Sequence, residues 1–241
     1  MIKFNIQYFF IISLLITPEI AWCYRPFDST DADVVEQGEI EIELGLFNWA
    51  HARNENTYVT PQLVFNYGIT DEIEFVAEFE AEHMDGDTNI TDPGIFIKRL
   101  LRRGVLQETG GLSLAVEAGL LLPSTLDEED SIGFEAIGII SGELAPFTYH
   151  INFGGGVDRV NGNAFGLWGV ILEYPLDLNT RLVAELNGEY PENEAAEHSG
   201  LVGVIWEPPS YPDTAVDLSL RHGIDNTEPD WSLSIGMTFN F

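Results

Sequence analysis

The sequence is poor in cysteine and in basic residues. Its single cysteine is Cys23, so a chain cleaved after that residue could form no internal disulfide. Ten lysines and arginines stand against 40 aspartates and glutamates, which gives a formal charge of −30 at pH 7. Electrostatic binding to nucleic acid or to anionic lipid surfaces is therefore excluded, because both would repel such a chain.

Long apolar runs and helical periodicity are also missing. After the first residues, no segment reaches the roughly 18 apolar residues that a membrane-spanning helix needs. If the mature chain lies in a membrane, it must form a closed barrel, because an open sheet would leave unpaired backbone groups in lipid. Disorder is disfavoured, since 45% of the residues are hydrophobic and 12% are aromatic.

The first residues have the layout of a secretory signal peptide. Lys3 precedes an apolar run at 8–16, and Pro18 lies before the predicted cleavage after Cys23. The alternative, a lipoprotein acylated on Cys23, is disfavoured by the bulky Trp22 in front of it. We assign 1–23 to the signal peptide, 24–36 to an N-terminal periplasmic arm and 37–241 to an outer-membrane β-barrel.

About twelve strand-like segments follow, separated by Gly, Asn, Asp and Pro. The even number is typical of a single-chain bacterial barrel, so the predicted fold is an all-β, antiparallel, up-and-down transmembrane barrel. The predicted strand cores are 38–47, 58–67, 72–82, 93–101, 110–121, 132–142, 147–156, 165–174, 181–190, 199–207, 214–223 and 231–241.

The connections support the same topology. Longer polar loops are predicted at 48–57, 83–91, 123–131, 158–163, 191–198 and 224–230, alternating with connections that are mostly short. Long external loops and short periplasmic turns are typical of outer-membrane barrels. The connections at 102–109 and 207–213 depart from this rule, since neither is short.

Alternation along the strands divides apolar from acidic residues. In the first strand Ile40, Ile42 and Leu44 share one face, and Glu41 and Glu43 share the other. A soluble β-sandwich would give the same pattern with the apolar side inward. A barrel instead turns the apolar side to lipid, and it also accounts for the signal peptide, the even strand number and the aromatic C-terminus.

The last strand, 231–241, alternates strictly and ends on Phe241. We expect its aromatic and aliphatic residues to face lipid and its serines, Gly236, Thr238 and Asn240 to face inward. Phe239 and Phe241 are predicted to form the assembly signal that the barrel-assembly machinery reads.

The chain resembles a family of outer-membrane transporter-type barrels, the MetA-pathway phenol-degradation family. The resemblance lies in Arg25-Pro26-Phe27, in 38–43, in 91–98 and in the segments 119–123 and 153–156. It implies an outer-membrane channel or uptake role and no catalytic set. Substrate identity does not follow from it.

The predicted lumen is narrow and acidic, since a barrel of about twelve strands is much smaller than a 16–18-stranded porin. Acidic rings would favour cations; the alternative is that these groups only hydrate the wall. The predicted lumen or selectivity residues are Glu39, Glu41, Glu43, Glu74, Glu78, Glu80, Glu117, Glu135, Glu185 and Asp217, with Lys98, Arg181 and Arg221 as partial counter-charges.

Other chemistry has weaker support. The acidic stretches 127–130 and 192–194 could hold divalent cations, but they lack the EF-hand spacing and are better explained as solvated loops. Four histidines, His51, His83, His198 and His222, map near the external rim without a regular ligand spacing. We therefore predict no metal site and no cofactor.

An enzyme is not expected. His198 and Ser199 are adjacent in sequence, so their side chains point to opposite faces of a strand and form no dyad. We predict a channel or uptake protein for small solutes with a cation-leaning lumen. The alternatives are a non-conducting structural or surface-binding barrel and an outer-membrane hydrolase. The expected partners are outer-membrane lipid, lipopolysaccharide, the assembly machinery and small solutes.

Overall fold

The structure is a computed structural model that describes residues 25–52, 55–84, 86–126, 129–224 and 229–241. The predicted signal peptide lies outside these residues. One short 3-10 helix, Val105–Gln107, accompanies twelve strands. They are β1 Ile40–Ala52, β2 Glu55–Thr70, β3 Ile73–Met84, β4 Asp87–Arg102, β5 Ser113–Leu121, β6 Gly133–Leu144, β7 Phe147–Val157, β8 Ala164–Pro175, β9 Thr180–Pro191, β10 Glu197–Trp206, β11 Thr214–Ile224 and β12 Trp231–Asn240.

The strands form one closed antiparallel barrel in which each strand pairs with its neighbours in sequence. β1 and β12 close it, with Ile42 opposite Phe239, and Phe241 and Ile40 exchange two backbone hydrogen bonds of 2.9 and 3.1 Å. The predicted up-and-down barrel of twelve strands is confirmed. In the described part of the chain, no helix is long and apolar enough to cross a membrane.

Two predicted outer loops are largely strand. β1 continues to Ala52 and β2 begins at Glu55, while β3 runs to Met84 and β4 begins at Asp87. The predicted loops at 48–57 and 83–91 are therefore wrong. The polar residues of these segments pair in extended hairpins, as in Trp49 opposite Tyr58 and Glu82 opposite Asn89.

The outer surface of the barrel is apolar. Exposed side chains include Leu182, Leu186, Val202, Leu218 and Phe153, all on the parity predicted to face lipid. In β12, Ser232, Gly236 and Thr238 are buried whereas Trp231 and Ile235 are exposed, as the alternation predicts. Exposed apolar surface on this scale is typical of a protein embedded in a membrane.

The interior is more apolar than the acidic sequence pattern suggests. One buried cluster contains Ala115, Ile137 and Ile139, and a second contains Val183, Leu201, Ile205 and Ala215. These aliphatic side chains point inward because of their parity along the strands. Part of the lumen is therefore packed like a protein core.

Residues 25–36, the N-terminal segment, also lie inside the barrel. Ala32 belongs to the first apolar cluster and Phe27 packs against the second. The segment joins β1 at the end that carries the C-terminus, where Gly38 N–H donates to the Gly68 carbonyl. A periplasmic arm is the prediction for these residues; their inward polar partners explain why they lie in the lumen instead.

Candidate functional site in the barrel lumen

Most of the predicted lumen residues point into the barrel. The fully buried members are Glu41, Glu43, Glu74, Lys98, Glu185 and Asp217, and the partly buried members are Glu78, Glu80, Glu117, Glu135, Arg181 and Arg221. Glu39 differs from them, because it precedes β1 and is exposed at the end of the barrel. The structure thus divides the predicted lumen residues into buried, partly buried and exposed members. The role of these residues in selectivity stays a prediction.

The N-terminal segment is attached by its backbone amides to inward side chains. Ser29 N–H donates to Glu185 at 2.8 Å, and Val35 N–H donates to Glu74 at 2.6 Å. The Asn152 side chain donates to the Thr30 carbonyl at 2.7 Å and accepts from Thr30 N–H at 3.1 Å. The segment therefore crosses the lumen and binds strands β3, β7 and β9.

Arg25 connects this segment to the barrel seam. Its Nε lies 3.3 Å from Asp217 Oδ2, and its Nη2 donates to Ser234 at 2.7 Å. Its backbone N–H donates to Glu43 at 3.0 Å, and Nη1 donates to Gln62. Because Arg25 is itself buried, these contacts satisfy a charge that would otherwise be costly inside the barrel.

A second ion-pair network ties the segment to β9 and β11. Arg221 Nη2 lies 2.9 Å from Glu185 and 2.8 Å from Asp28. Asn187 also donates to Asp28, at 2.7 Å. The positive charge of Arg221 is therefore shared between one barrel carboxylate and one segment carboxylate.

Ser141, His150 and Glu173 converge in space on β6, β7 and β8. Ser141 Oγ is 2.8 Å from His150 Nδ1, and His150 Nε2 is 2.9 Å from Glu173. Ser141 also accepts a hydrogen bond from Ala32 N–H at 2.9 Å. Since Ser141 and His150 are fully buried, this serine is covered by the N-terminal segment and has no access to a substrate.

The same network continues to the C-terminal end of the barrel. Arg181 Nη1 lies 3.1 Å from Glu173, and its Nη2 lies 3.1 Å from Glu207. The network joins side chains of β6, β7, β8 and β9 to the loop after β10, as buried structural polar networks do. The convergence of Ser, His and acid therefore supports a structural role better than the hydrolase alternative.

A row of opposite charges crosses β3, β4 and β5. The register sets Glu74 beside Lys98 and Lys98 beside Glu117. Lys98 also lies 3.7 Å from Asp31 of the segment. Cross-strand neighbours of opposite charge are favourable, and here they fix the one buried lysine of the described residues.

Glu78, Glu117 and Glu135 are different. We call these three residues, on β3, β5 and β6, the acidic wall. In the described residues none of the three forms a side-chain hydrogen bond or a salt bridge, and all three are only partly buried. All three border an open space in the lumen.

That space is a cavity of about 830 Å³. The acidic wall lines it together with Glu43, Glu80 and Arg25, and it extends to Glu55 and Met84 at the loop end of the barrel. The N-terminal segment contributes residues 25–30 to its floor. A smaller cavity of about 350 Å³ lies beside Asp28, Glu135 and Arg221.

Arg159 links β4 to the loop between β5 and β6, close to the larger cavity. Its Nη1 lies 3.3 Å from Asp92 and 3.5 Å from Glu129. The neighbouring Asp158 accepts backbone hydrogen bonds from 160–163. Burial opposes the effect, but these N–H groups lower the pKa of the Asp158 carboxyl.

The rim histidines lie on the outward parity of their strands, and three of them, His51, His198 and His222, contact aromatic rings. His222 stacks on Trp231 with ring centroids 4.2 Å apart, and His198 meets Tyr190 edge to face at 5.5 Å. Among the described residues, no group of three or more histidines and acids is arranged to hold a metal ion. Of the acidic stretch 127–130, the first two residues lie outside the described ranges.

The strand pattern did not predict that the N-terminal segment occupies the lumen. It placed Asn152 on the inward face, but it did not identify Gln62, Asn66 or Asn152 as hydrogen-bond partners of other lumen residues. A signal existed: polar residues on the inward parity of strands whose neighbours are acidic indicate hydrogen bonding rather than solvent. Which segment would supply the other half of those bonds could not be read from the strands alone.

Comparison with known proteins identifies the fold. No protein-family model matches the chain, and no curated protein matches it in sequence. Solved structures do match: the COG4313 outer membrane channel from Pseudomonas putida F1 has a TM-score of 0.58 at 12% identity, covering 89% of this chain and 100% of that one. The NanC porin has a TM-score of 0.61 at 8% identity, covering 83% and 98%.

The KdgM porin gives a third match, with a TM-score of 0.56 at 6% identity, covering 84% of this chain and 99% of its own. The chain has the fold of outer-membrane channels and porins. Together with the apolar exterior of the closed barrel, this fold places the protein in the outer membrane. The identities are too low to carry a substrate from any of these proteins to this chain.

Proposed function

We propose that the protein is an outer-membrane channel or uptake protein for small solutes, with an acidic, cation-leaning lumen. The observation that carries the proposal is the acidic wall, because its three carboxyl groups line a cavity of about 830 Å³ and, of the three, Glu117 alone has a basic cross-strand neighbour, Lys98. The neighbours in fold are channels and porins, which supports the general class of function.

The basic residues of the lumen do not offset the acidic wall by direct pairing. Arg25, Arg181 and Arg221 are each held by carboxylates elsewhere. Clustered charges of one sign in a confined space raise the local concentration of the opposite ion. Cations would therefore concentrate along β3, β5 and β6, whereas anions would be excluded from this side.

A second candidate is a non-conducting structural or surface-binding barrel. The N-terminal segment favours it, because residues 25–36 occupy the part of the lumen between the cavity and the C-terminal end of the barrel. The difference between the two candidates is whether that segment ever leaves its position.

Finer assignments stay predictions. The resemblance to the MetA-pathway phenol-degradation family rests on short segments, among them 25–27 and 38–43. Contacts with lipopolysaccharide and with the barrel-assembly machinery through Phe239 and Phe241 are likewise expected from the class of protein. Uptake assays with phenolic and with aliphatic cationic solutes would separate the family resemblance from the lumen chemistry.

The test is single-channel recording in planar bilayers with KCl gradients of both directions. Wild type and Gly169→Leu are compared, because a side chain at Gly169 would overlap Ser29 of the N-terminal segment. We expect currents whose reversal potential has the sign of cation selectivity. Absence of current from both proteins, or anion selectivity, would contradict the proposal.

A further inference from the structure

The N-terminal segment is held by side chains rather than by the barrel's backbone ladder. Among the described residues, 25–35 form no backbone-to-backbone hydrogen bond with a strand. Their amides donate instead to side chains of the barrel strands, such as the carboxylate of Glu74, the amide of Asn152 and the hydroxyl of Ser141. The segment can therefore leave without breaking any strand pairing of the closed barrel.

Two glycines on the inner face of the barrel give the segment the space that it occupies. A β-carbon on Gly169 of β8 would lie 3.0 Å from the β-carbon of Ser29 and would overlap its hydroxyl. A β-carbon on Gly68 of β2 would overlap the carbonyl oxygens of Val35 and Glu36. Only glycine permits the segment to lie this close to two strands.

The segment also separates two environments. On its loop side lies the cavity that the acidic wall lines, with Arg25 and Phe27 at its floor. On its other side, Ala32 packs with Leu106, Ile137 and Ile139 in a buried apolar cluster. A solute that enters from the loop end meets the segment before it reaches the opposite end.

We propose that residues 25–36 are a gate: the structure shows the closed state, and conduction requires the segment to leave its seat on Gly68 and Gly169. The gate rests on the proposed channel function. Its closed state is stabilised by donors to Glu43, Glu74 and Glu185.

Release of the segment would leave these three carboxylates exposed to the lumen. Glu43 already borders the cavity, whereas an entering cation reaches Glu74 and Glu185 only after the segment's N–H groups have left. A ligand shifts an equilibrium toward the state to which it binds better. Cationic solutes would therefore favour the open state, whereas neutral solutes would not.

The first experiment fixes the segment with a reversible crosslink. In Ser29→Cys/Gly169→Cys the two β-carbons start slightly closer than the roughly 3.5–4.5 Å that a disulfide spans, so a small adjustment permits the bond. Conductance is recorded from the oxidised protein and again after reduction, with each single-cysteine variant as control. We expect the oxidised protein to conduct at least about tenfold less than the reduced protein.

Equal conductance of the oxidised and reduced double variant would overturn the gate while leaving the channel function intact. Loss of current in the single-cysteine controls would do the same, because the crosslink would then not be the cause. Reduction that restores current to the level of the controls supports the gate.

The second experiment needs no current. Ser29→Cys is labelled with a membrane-impermeant maleimide in otherwise unchanged protein, in a Gly169→Leu background and in a Gly166→Leu background. Gly166 lies on the same strand, and a β-carbon there meets only the Gly154 carbonyl, at 3.8 Å. We expect labelling to accelerate about tenfold with Gly169→Leu and to stay unchanged with Gly166→Leu.

The two readouts separate the gate from the channel. Accelerated labelling without current in any variant would sink the proposed channel function, and with it a gate for conduction, while showing that the segment moves. An unchanged labelling rate in Gly169→Leu would show that the segment does not leave its position, and would overturn the gate even if the barrel conducts. Heat-modifiable gel mobility of each variant verifies that the barrel itself has folded.

Discussion

The two sides of the lumen use the same residue type in opposite ways. On the side of β8, β9 and β11, buried carboxylates such as Glu173, Glu185 and Asp217 each contact an arginine. On the side of β3, β5 and β6, the acidic wall has no such contacts. The first side is covered by the N-terminal segment, whereas the second borders the larger cavity.

The comparison shows that the environment of a carboxylate decides what it does in this barrel. A buried charge needs a partner and several hydrogen bonds, and Glu185 receives both from Arg221 and the amides of residues 28 and 29. A carboxylate without a partner must keep its water. Pairing therefore builds the closed part of the lumen, and lack of pairing keeps the rest open.

The largest change in stability is expected when a partner is removed on the side of β8, β9 and β11, where the carboxylates contact arginines. Arg221→Met would leave Glu185 buried without its counter-charge and would release Asp28. We expect a loss of about 3–5 kcal/mol of unfolding free energy, measured by urea titration of the detergent-solubilised barrel. Arg103→Met is the control, because Arg103 is exposed and donates only to the Asp71 carbonyl.

A loss below about 1 kcal/mol in Arg221→Met, similar to that of a surface ion pair, would show that Arg221 and Glu185 do not behave as a buried pair.

A smaller effect is expected at the hydroxyl that receives the segment. Ser141→Ala removes the acceptor of Ala32 N–H and a hydrogen-bond partner of His150, both in a buried site. Leaving such groups unsatisfied costs about 1–3 kcal/mol. Ser131→Ala, at an exposed loop serine, should cost much less in the same titration.

Ser141→Ala also separates structure from catalysis. If the hydroxyl were a nucleophile, the variant would lose a hydrolytic activity of the wild type without loss of stability. A stable Ser141→Ala variant with such a loss would contradict the structural role of this network.

Neutralising the acidic wall should change ion selectivity rather than stability. In Glu78→Gln/Glu117→Gln/Glu135→Gln, like charges are removed and only the cross-strand attraction between Glu117 and Lys98 is weakened, so the barrel should unfold no more easily than wild type. The ratio of cation to anion permeability should fall, by about threefold or more, because the local potential weakens. Glu143→Gln, an exposed residue near the end of β6, is the matched control for stability and selectivity.

The smallest effect is expected in the loop at 158–163. Asp158→Ala removes the acceptor of four backbone N–H groups, so limited proteolysis at this loop should accelerate about twofold, with the barrel unchanged. Because the folded pKa of Asp158 lies below its ordinary value, its stabilisation is present above the unfolded pKa. It is lost as the pH falls through the folded pKa.

Proteolysis in wild type should therefore approach the Asp158→Ala rate under acidic conditions. A wild-type rate that does not change on acidification would contradict the role given to these hydrogen bonds.

The barrel could be predicted from the sequence because each strand carries its own period-2 pattern. β12 shows this directly, since Trp231, Ile235 and Phe241 are exposed and Ser232 and Thr238 are buried. Alternation is a local property and sets strand direction and face without any knowledge of the neighbours. Strand ends were harder, because polar residues at 48–52 and at 87–91 pair within strands where polarity suggested loops.

The division of the lumen could not be predicted, since it depends on contacts between distant residues. Glu78 and Glu74 lie four positions apart on one strand with the same parity, yet only Glu74 accepts a bond from the N-terminal segment. Nothing in either residue's local sequence distinguishes them. The same holds for Ser141 and His150, whose contact depends on the register of β6 and β7.

The reversal potential of Gly169→Leu channels, with and without the acidic wall, tests directly whether these three glutamates make the lumen cation-selective. Both proteins have the segment displaced, so they differ only in Glu78, Glu117 and Glu135. We predict clear cation selectivity with the three glutamates and a shift toward zero potential with three glutamines. Identical reversal potentials would show that permeating ions do not pass along this wall, and would contradict the account.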